Sequence, residues 1–274
     1  MTLEMLEVRT SQGGLLSLPL IDPTLGFVIE NIEGLDPVKA TLVSSSFAQQ
    51  DGAQYQSSRR EARNIKVTLG LYPDWTVDDV RELRKRLYAF FMPKTEAKLS
   101  FYHADGLNVD ISGRIESCES VLFSQEPAVD VSLMCFDPDF VDPDLVTVSA
   151  NTTAGSTEVT VDYVGTVDTG IVFKLNVNRS LSEFTIYHQA ADGSLRTMDF
   201  AASLISGDVV TISTIPGSKF ATLTRDAVDS SILYAVSPHA SWIALMTGVN
   251  QLRVYATGAA IPYTIDYMNR YGGL

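Results

Sequence analysis

The stretch RNIKVTLGL at residues 63–71 decides the fold class of this chain. Its central side chains alternate between apolar and polar ones: Ile65, Val67 and Leu69 against Asn64, Lys66 and Thr68. Successive side chains of a β-strand point to opposite faces of its sheet, so this spacing predicts a strand with one buried face. The stretch therefore predicts a sheet with an apolar side and a solvated side.

Short strands of this kind are predicted along the whole chain, because β-branched and aromatic residues dominate and turn residues recur about every ten positions. In the first half the candidates are residues 26–32, 38–44, 65–71, 98–102, 107–116 and 129–136. In the second half they are residues 158–163, 171–177, 183–188, 209–214, 220–224, 232–235, 252–256 and 263–267. So many short strands without a helix between them favour a β-sandwich in the second half.

One segment has helical spacing instead. Between residues 76 and 91 the apolar positions recur every three or four residues, at Val77, Val80, Leu83, Leu87, Phe90 and Phe91. Such spacing gives a single apolar stripe on a helix. Thr76 is the predicted N-cap, with Asp79 completing the first turn, and Pro93 is predicted to stop the helix. We expect one α-helix at about residues 76–92.

A domain boundary is predicted in the segment DPDFVDPD at residues 137–144. Its two prolines fix the backbone and remove amide donors, which argues against a continuing strand. We expect domains at residues 1–143 and 144–274. Its aspartates, Asp137, Asp139, Asp142 and Asp144, lack the pattern of a calcium loop and are interpreted as a solvated acidic linker.

The charge balance limits the possible partners. The chain has 33 acidic and 20 basic residues, a formal net charge of −13. Sequence-specific binding to nucleic acid is therefore disfavoured, whereas an acidic channel would let DNA slide without sticking. The amino-terminal residues do not fit a signal peptide, and no apolar run has the length of a membrane span. We expect a chain that folds in a cytoplasm.

Few residues are candidates for a catalytic or metal-binding site. Cys118 and Cys135 are interpreted as free thiols on adjacent strands, with a disulfide as the alternative. The histidines, His103, His188 and His239, have no second ligand at metal-binding spacing, and no Gly-x-Ser-x-Gly elbow occurs. No acid pair can be singled out for glycan hydrolysis, although an acidic chain leaves that class open. We expect no enzyme, no metal and no cofactor.

A basic cluster, Arg59, Arg60 and Arg63, follows a polar stretch at residues 44–58. The only large apolar residues in that stretch are Phe47 and Tyr55. One interpretation is an exposed hairpin arm whose arginines bond to acids on a neighbouring subunit. The other is an exposed loop with solvated arginines. The residues alone do not decide between them.

A series of short motifs follows in order over the first 140 residues. They are Ile32-x-Gly34-Leu35-x-Pro37, Asp51-Gly52-Ala53, Arg63-Asn64-Ile65, the helix, Gly113-Arg114-Ile115-Glu116, and Cys135-Phe136-Asp137-Pro138-x-Phe140. In this order and spacing they resemble the N-terminal domain of siphophage distal tail proteins. The segment Gly248-Val249-Asn250-Gln251-Leu252 and the tail at residues 267–271 are similar to the end of such proteins.

The resemblance implies a mainly β fold, with an N-terminal β-sandwich-like domain carrying one helix and a C-terminal galectin-like β-sandwich. It implies a structural protein of the virion tail tip, or baseplate, assembled in the host cytoplasm as a homohexameric ring. The N-terminal domain would form the ring and line the passage for DNA. The partners would be the tail tube protein on one side and the tail hub or tail-associated protein on the other.

In this family, the stretch before the Arg-Asn-Ile strand forms an arm that embraces the next subunit. The resemblance therefore favours the arm interpretation. Its implied subunit contacts are Asp51, Gly52, Tyr55, Arg59, Arg60 and Arg63. A second hypothesis is a lectin-like adhesin module that attaches to host glycans, with Tyr187, Tyr234 and Trp242 stacking on a sugar ring. The alternative for these three aromatic residues is a place in the sandwich core.

Overall fold

The computed structural model describes residues 2–20, 25–48, 51–76, 79–121 and 126–274. The chain divides into two compact units. The first comprises Met1–Pro143 together with Tyr271–Leu274, and the second comprises Asp144–Arg270. Residues 271–274 therefore belong to the first unit, although the whole second unit precedes them in the sequence.

The first unit contains one long sheet, a separate hairpin and a helix. Its elements are β1 Leu3–Thr10, β2 Leu15–Pro19, β3 Phe27–Glu33, β4 Ala40–Ser45, β5 Gln54–Arg60, β6 Arg63–Leu71, α1 Val80–Phe90, β7 Glu96–His103, β8 Asn108–Ser120, β9 Ala128–Cys135 and β10 Phe140–Val141. The sheet has the order β2-β1-β7-β8-β9-β6-β3, with antiparallel neighbours throughout. β4 pairs with β5 outside this sheet.

Alternation decides which face of the sheet is buried. In β6, Ile65, Val67 and Leu69 are at most 4% exposed, while the polar residues between them face outward. The apolar stripe of α1 joins the same core through Leu83 and Leu87. The long predicted strand and the helix therefore meet in one core, as their spacings require.

The helix begins later than predicted. It starts at Val80, and its N-cap is Asp79, whose carboxylate accepts a hydrogen bond from the Glu82 amide at 2.8 Å. Thr76 instead donates both its amide and its hydroxyl to Asp74. A carboxylate at the cap also suits the positive end of the helix dipole. Val77 and Asp78 lie outside the described residues.

The second unit has two main β-sheets and a small two-stranded one, β13 with β20. Its strands are β11 Val146–Asn151, β12 Val159–Tyr163, β13 Thr169–Gly170, β14 Val172–Asn176, β15 Leu181–Gln189, β16 Leu195–Leu204, β17 Val209–Ser213, β18 Phe220–Arg225, β19 Val228–Ser231, β20 Ala244–Leu245, β21 Gly248–Tyr255 and β22 Pro262–Tyr267. The last strand, β23 Arg270–Tyr271, pairs with β10 in the sheet of the first unit. The sheets have the orders β11-β22-β14-β17-β18-β19 and β12-β21-β15-β16. The core between them includes Phe173, Phe184 and Phe200, with ring centroids 5.9 and 4.8 Å apart for successive pairs. The predicted mainly β fold is confirmed.

Residues 232–235, predicted as a strand, are not one. Leu233–Ala235 form a 3-10 turn, in which the Ala235 amide donates to the Ile232 carbonyl at 2.9 Å. Ile232 and Ala235 are buried, whereas Leu233 and Tyr234 are exposed. Burial of residues three apart is the pattern of a 3-10 turn, and a strand would have buried every second residue.

Both cysteines are free thiols. Cys118 on β8 is half-buried and Cys135 at the end of β9 is buried. Burial raises the pKa of Cys118 to about 11 and that of Cys135 to about 12. Both side chains are therefore protonated and unreactive at neutral pH. In the described part of the chain, no helix is long and apolar enough to cross a membrane.

Two histidines are buried. His188 is 1% exposed, and its Nε2 lies 3.1 Å from Oδ1 of the buried Asn250. His103 is 8% exposed, and the nearby Asp105 accepts from the Leu107 amide at 3.2 Å. Burial lowers the pKa of both imidazoles below the ordinary value of 6.5. Burial therefore favours the neutral form of both imidazoles in the folded state.

We predict that the folded chain loses stability as the pH falls below about 6.5. The unfolded chain takes up protons at His103 and His188 near that pH, whereas the folded chain resists them, so acid favours unfolding. The melting temperature, measured by circular dichroism at pH 7.5 and pH 5.5, should fall by several degrees. The double substitution of His103 and His188 by Gln should reduce this fall, and an unchanged fall would contradict the prediction.

Candidate functional site

The β4–β5 hairpin, called the arm here, lies outside the main sheet of its unit. Its two strands pair from Ala40 opposite Arg60 to Ser45 opposite Gln54, with a bulge after Val43. Every residue of β5 is exposed. Two-stranded hairpins are at best marginally stable in water, so a long exposed one is a candidate for contact with another chain.

The arm also exposes large apolar side chains. The exposed fractions are 68% for Leu42, 44% for Val43, 56% for Phe47 and 61% for Tyr55. Single exposed apolar residues are ordinary on protein surfaces, but four lie on this one hairpin. Leu42 and Val43 are consecutive on β4, so both faces of the arm carry an exposed apolar side chain. The arm is therefore the candidate functional site.

The predicted contact residues near the tip of the arm are exposed. Asp51 and Gly52 line a shallow groove of about 410 Å³ with Phe47. Gly52 has a φ of 92°, a left-handed conformation that glycine adopts without cost. The Tyr55 hydroxyl donates to Ser58 Oγ at 2.8 Å, and Arg59 is exposed to solvent. Their role as subunit contacts stays a prediction.

Arg60 is already paired with an acid of its own unit. It forms a bidentate ion pair with Asp139 of its own unit, and the bond from Nη2 to Oδ2 is 2.9 Å long. Asp139 is only 4% exposed. The segment 137–144 is therefore not simply a solvated acidic linker, because one of its aspartates fixes the base of the arm.

Arg63 is not a surface residue either, and its assignment as a subunit contact is wrong. It is 1% exposed, and its Cζ lies 4.5 Å from the centroid of the Phe140 ring. The reason is its position on β6, where it has the same parity as the buried Ile65 and Val67. The cluster of Arg59, Arg60 and Arg63 suggests exposure, but the alternation of the strand decides the direction of each side chain.

The guanidinium of Arg63 is surrounded by backbone carbonyl groups. Nε donates to Pro138 at 2.6 Å, Nη1 donates to Asp36 at 2.7 Å and to Gly34, and Nη2 donates to Gly272 at 2.6 Å. Burial lowers the pKa of Arg63, but arginine remains charged in proteins. We call Arg60, Arg63 and Asp139 the anchor, because they join both ends of the arm to the rest of the unit.

Residues 271–274 complete the anchor. The Leu274 amide donates to the Leu35 carbonyl at 3.0 Å, and Tyr271 and Leu274 pack against the core of the first unit. Gly273 lies so close to Pro37 that an added Cβ would be 2.7 Å from its Cδ. These contacts hold the segment that leads into β4.

The three aromatic residues predicted as a glycan contact lie on different elements of the second unit. Tyr187 projects from β15, with Arg253 Cζ 4.3 Å from its ring centroid. Trp242 packs against the core, with Lys219 Nζ 5.0 Å from its ring. Tyr234 lies on the 3-10 turn and is 82% exposed. Of the three, Tyr234 presents the most free ring surface.

Tyr234 borders a groove of about 310 Å³ on the outer face of β15 and β16. Two exposed acids, Glu183 and Asp199, line it as well. Thr185 donates to Asp199 at 2.8 Å. Within the described ranges, no group of three His, Cys, Asp or Glu residues could hold a metal ion.

Comparison with known proteins finds phage tail proteins for both units. Residues 21–127 match the family described as phage tail protein RIFT-related domain. Residues 164–271 match the family described as siphovirus-type tail component, C-terminal domain. No curated protein sequence matches the chain.

A solved structure of a phage protein has a similar fold. The crystal structure of Dit (gp 19.1) of phage SPP1 is similar with a TM-score of 0.68 at 18% identity, over 97% of this chain and 98% of that chain. That protein is described as a paradigm of the hub adsorption apparatus in phages that infect Gram-positive bacteria. A chain of the phage p2 baseplate in its activated conformation with Sr matches at a TM-score of 0.49 and 8% identity, over 96% and 97% of the two chains.

We predict that Arg63→Met destabilises the full chain by about 3–5 kcal/mol, because it leaves four carbonyl groups without their donor. Equilibrium unfolding in urea measures this change. Arg59→Met, which removes the same charge from an exposed site, should stay within about 0.5 kcal/mol of the parent. Equal stabilities of the two variants would show that the Arg63 contacts contribute little.

Proposed function

Since this chain belongs to the family of siphophage distal tail proteins, we propose that its copies form a homohexameric ring at the distal end of a long non-contractile tail. The ring would continue the tail tube and join the tube protein to the tail hub or tail-associated protein. The first unit, with its arm, would form the ring. Assembly would take place in the host cytoplasm.

The observation that carries the proposal is the arm. It exposes four large apolar side chains, and its base is held by buried polar contacts. Exposed apolar side chains that bound many surfaces weakly would promote aggregation. An arm whose base is fixed therefore favours binding to one specific surface. In a ring every subunit both extends an arm and receives one.

The composition supports a passage for DNA through such a ring. A formal net charge of −13 repels the phosphate backbone and removes the gain from counterion release. DNA could then move through the lumen without being held at specific sites. The proposal is a structural role, in which the function of the chain lies in its interfaces rather than in catalysis.

We predict that the full chain forms an oligomer in solution whose mass rises with concentration toward that of a hexamer. Light scattering after size exclusion measures this mass. The double substitution Leu42→Asp and Tyr55→Asp should weaken assembly at least tenfold, because one buried anchor contributes about 2 kcal/mol or more to binding. The fold should be unchanged, because both side chains are exposed.

Leu195→Asp is the matched control, since Leu195 is 78% exposed on the second unit. It should assemble like the parent. A parent that stays monomeric at all concentrations would count against a ring formed by this chain alone. An arm variant that assembles like the parent would remove the arm from the interface.

A second candidate function is attachment to host glycans through the second unit. The groove beside Tyr234 favours it, because an exposed aromatic ring next to two carboxylates can stack on a sugar and accept bonds from its hydroxyl groups. Trp242 is a weaker candidate than Tyr234, because it packs against the core.

We predict that any binding of the full chain to an array of bacterial surface glycans falls at least tenfold in Tyr234→Ala, because stacking requires the exposed ring. Leu233→Ala is the control, since Leu233 is exposed on the same turn. Binding that survives Tyr234→Ala would exclude this groove. An array without any signal would leave the ring as the only function supported.

A further inference from the structure

A groove of about 570 Å³ runs along the polar outer face of β3, β6, β8 and β9. We call it the acidic groove, because four exposed acids line it: Glu33, Glu116, Glu119 and Asp130. Among the described residues that line it, Lys66 is the one base. The face is turned away from the core, so fold stability does not require this charge pattern.

The acids of the groove repel one another. Glu119 on β8 stands directly opposite Asp130 on β9 in the antiparallel register, and like charges at such positions are destabilising. Neutral hydroxyl groups donate to two of the carboxylates: Thr68 to Asp130 at 2.7 Å, and Ser132 to Glu116 at 2.9 Å. These bonds orient the carboxylates and leave their charge in place. A cation from another molecule would relieve the repulsion.

The arm carries a suitable cation. Arg60 is turned toward Asp139 of its own unit. Neighbouring residues of a strand point to opposite faces, so Arg59 points away from that contact. Arg59 is exposed, and no described residue forms an ion pair with it. The only acid within the arm is Asp51 near its tip, and Glu61, just beyond the arm, accepts from a hydroxyl of β4.

We propose that the acidic groove of one copy receives the outward face of the arm of the next copy, with Arg59 placed between Glu119 and Asp130. This inference rests on the proposed ring and names the surface that receives the arm. The occupant is a second copy of this chain, because the charges of Arg59 and the groove are opposite and both belong to every subunit.

The same charges determine the direction of assembly. Two acidic grooves facing each other would repel, which disfavours a two-fold contact through this surface. Arm into groove is a head-to-tail contact, and such contacts generate rings when the rotation closes. Val43 lies on the same face of the arm as Arg59 and would add an apolar contact to this interface, while the charged pair sets register and partner choice.

The test is a charge swap between two full-length variants, Arg59→Glu and Glu119→Arg, followed by light scattering. Each variant alone should assemble about tenfold more weakly than the parent, because like charges then face each other. An equimolar mixture should recover assembly. In an alternating ring, the glutamate introduced into the arm of one variant meets the arginine introduced into the groove of the other, and the second contact is the native pair.

Glu158→Arg is the matched control, because it makes the same charge change at an exposed site of the second unit. It should assemble like the parent and should not rescue Arg59→Glu. Recovery in the swap mixture should also weaken as salt is raised.

Two outcomes overturn the docking and leave the ring intact. In one, both variants assemble like the parent. In the other, both are weakened but their mixture is not restored, which shows that Arg59 and Glu119 do not meet. A parent that never forms an oligomer overturns the proposed ring, and the docking with it.

Discussion

A buried guanidinium is the contact on which the first unit depends. Removing an arginine from water costs several kcal/mol unless its donors find partners. Arg63 meets this condition with the carbonyl groups of Gly34, Asp36, Pro138 and Gly272 and with the ring of Phe140. These groups come from segments far apart in the sequence. A single side chain thus bonds to three segments: residues 34–36 before the arm, Pro138 after β9, and Gly272.

The anchor and the arm have opposite physical character, and this contrast explains how a hairpin can be both exposed and ordered. At the base, Asp139 and Arg63 are nearly inaccessible to water. Along the arm itself, every residue of β5 is exposed to water. A binding element with a fixed base loses less conformational entropy on docking than a free loop does. The arm is therefore ordered before it meets any other surface.

Local periodicity accounts for what the sequence could predict. The two-residue alternation of β6 and the helical spacing of α1 are strong signals, and both elements form where the apolar residues require. No strand is predicted at β1 or β16, although both pair extensively in the structure. The prediction for Arg63 is wrong because a cluster of nearby charges suggests exposure to solvent, whereas its position on β6, two residues before the buried Ile65, places its side chain in the core. The carbonyl groups that make its burial possible come from residues up to 209 positions away, and no local pattern reports them.

The return of Tyr271–Leu274 to the first unit has a consequence for the order of folding during synthesis. On the ribosome, residues 1–143 emerge first, yet their last pieces of packing arrive only after the entire second unit has been translated. At about 5–20 residues per second, the intervening residues 144–270 impose a delay of roughly 6 to 25 s. During that time Arg63 lacks the Gly272 carbonyl as an acceptor. Leu35 and Pro37, which precede β4, also lack their contacts with Leu274 and Gly273. The packing around Arg63 is thus completed only after residues 271–274 have been translated.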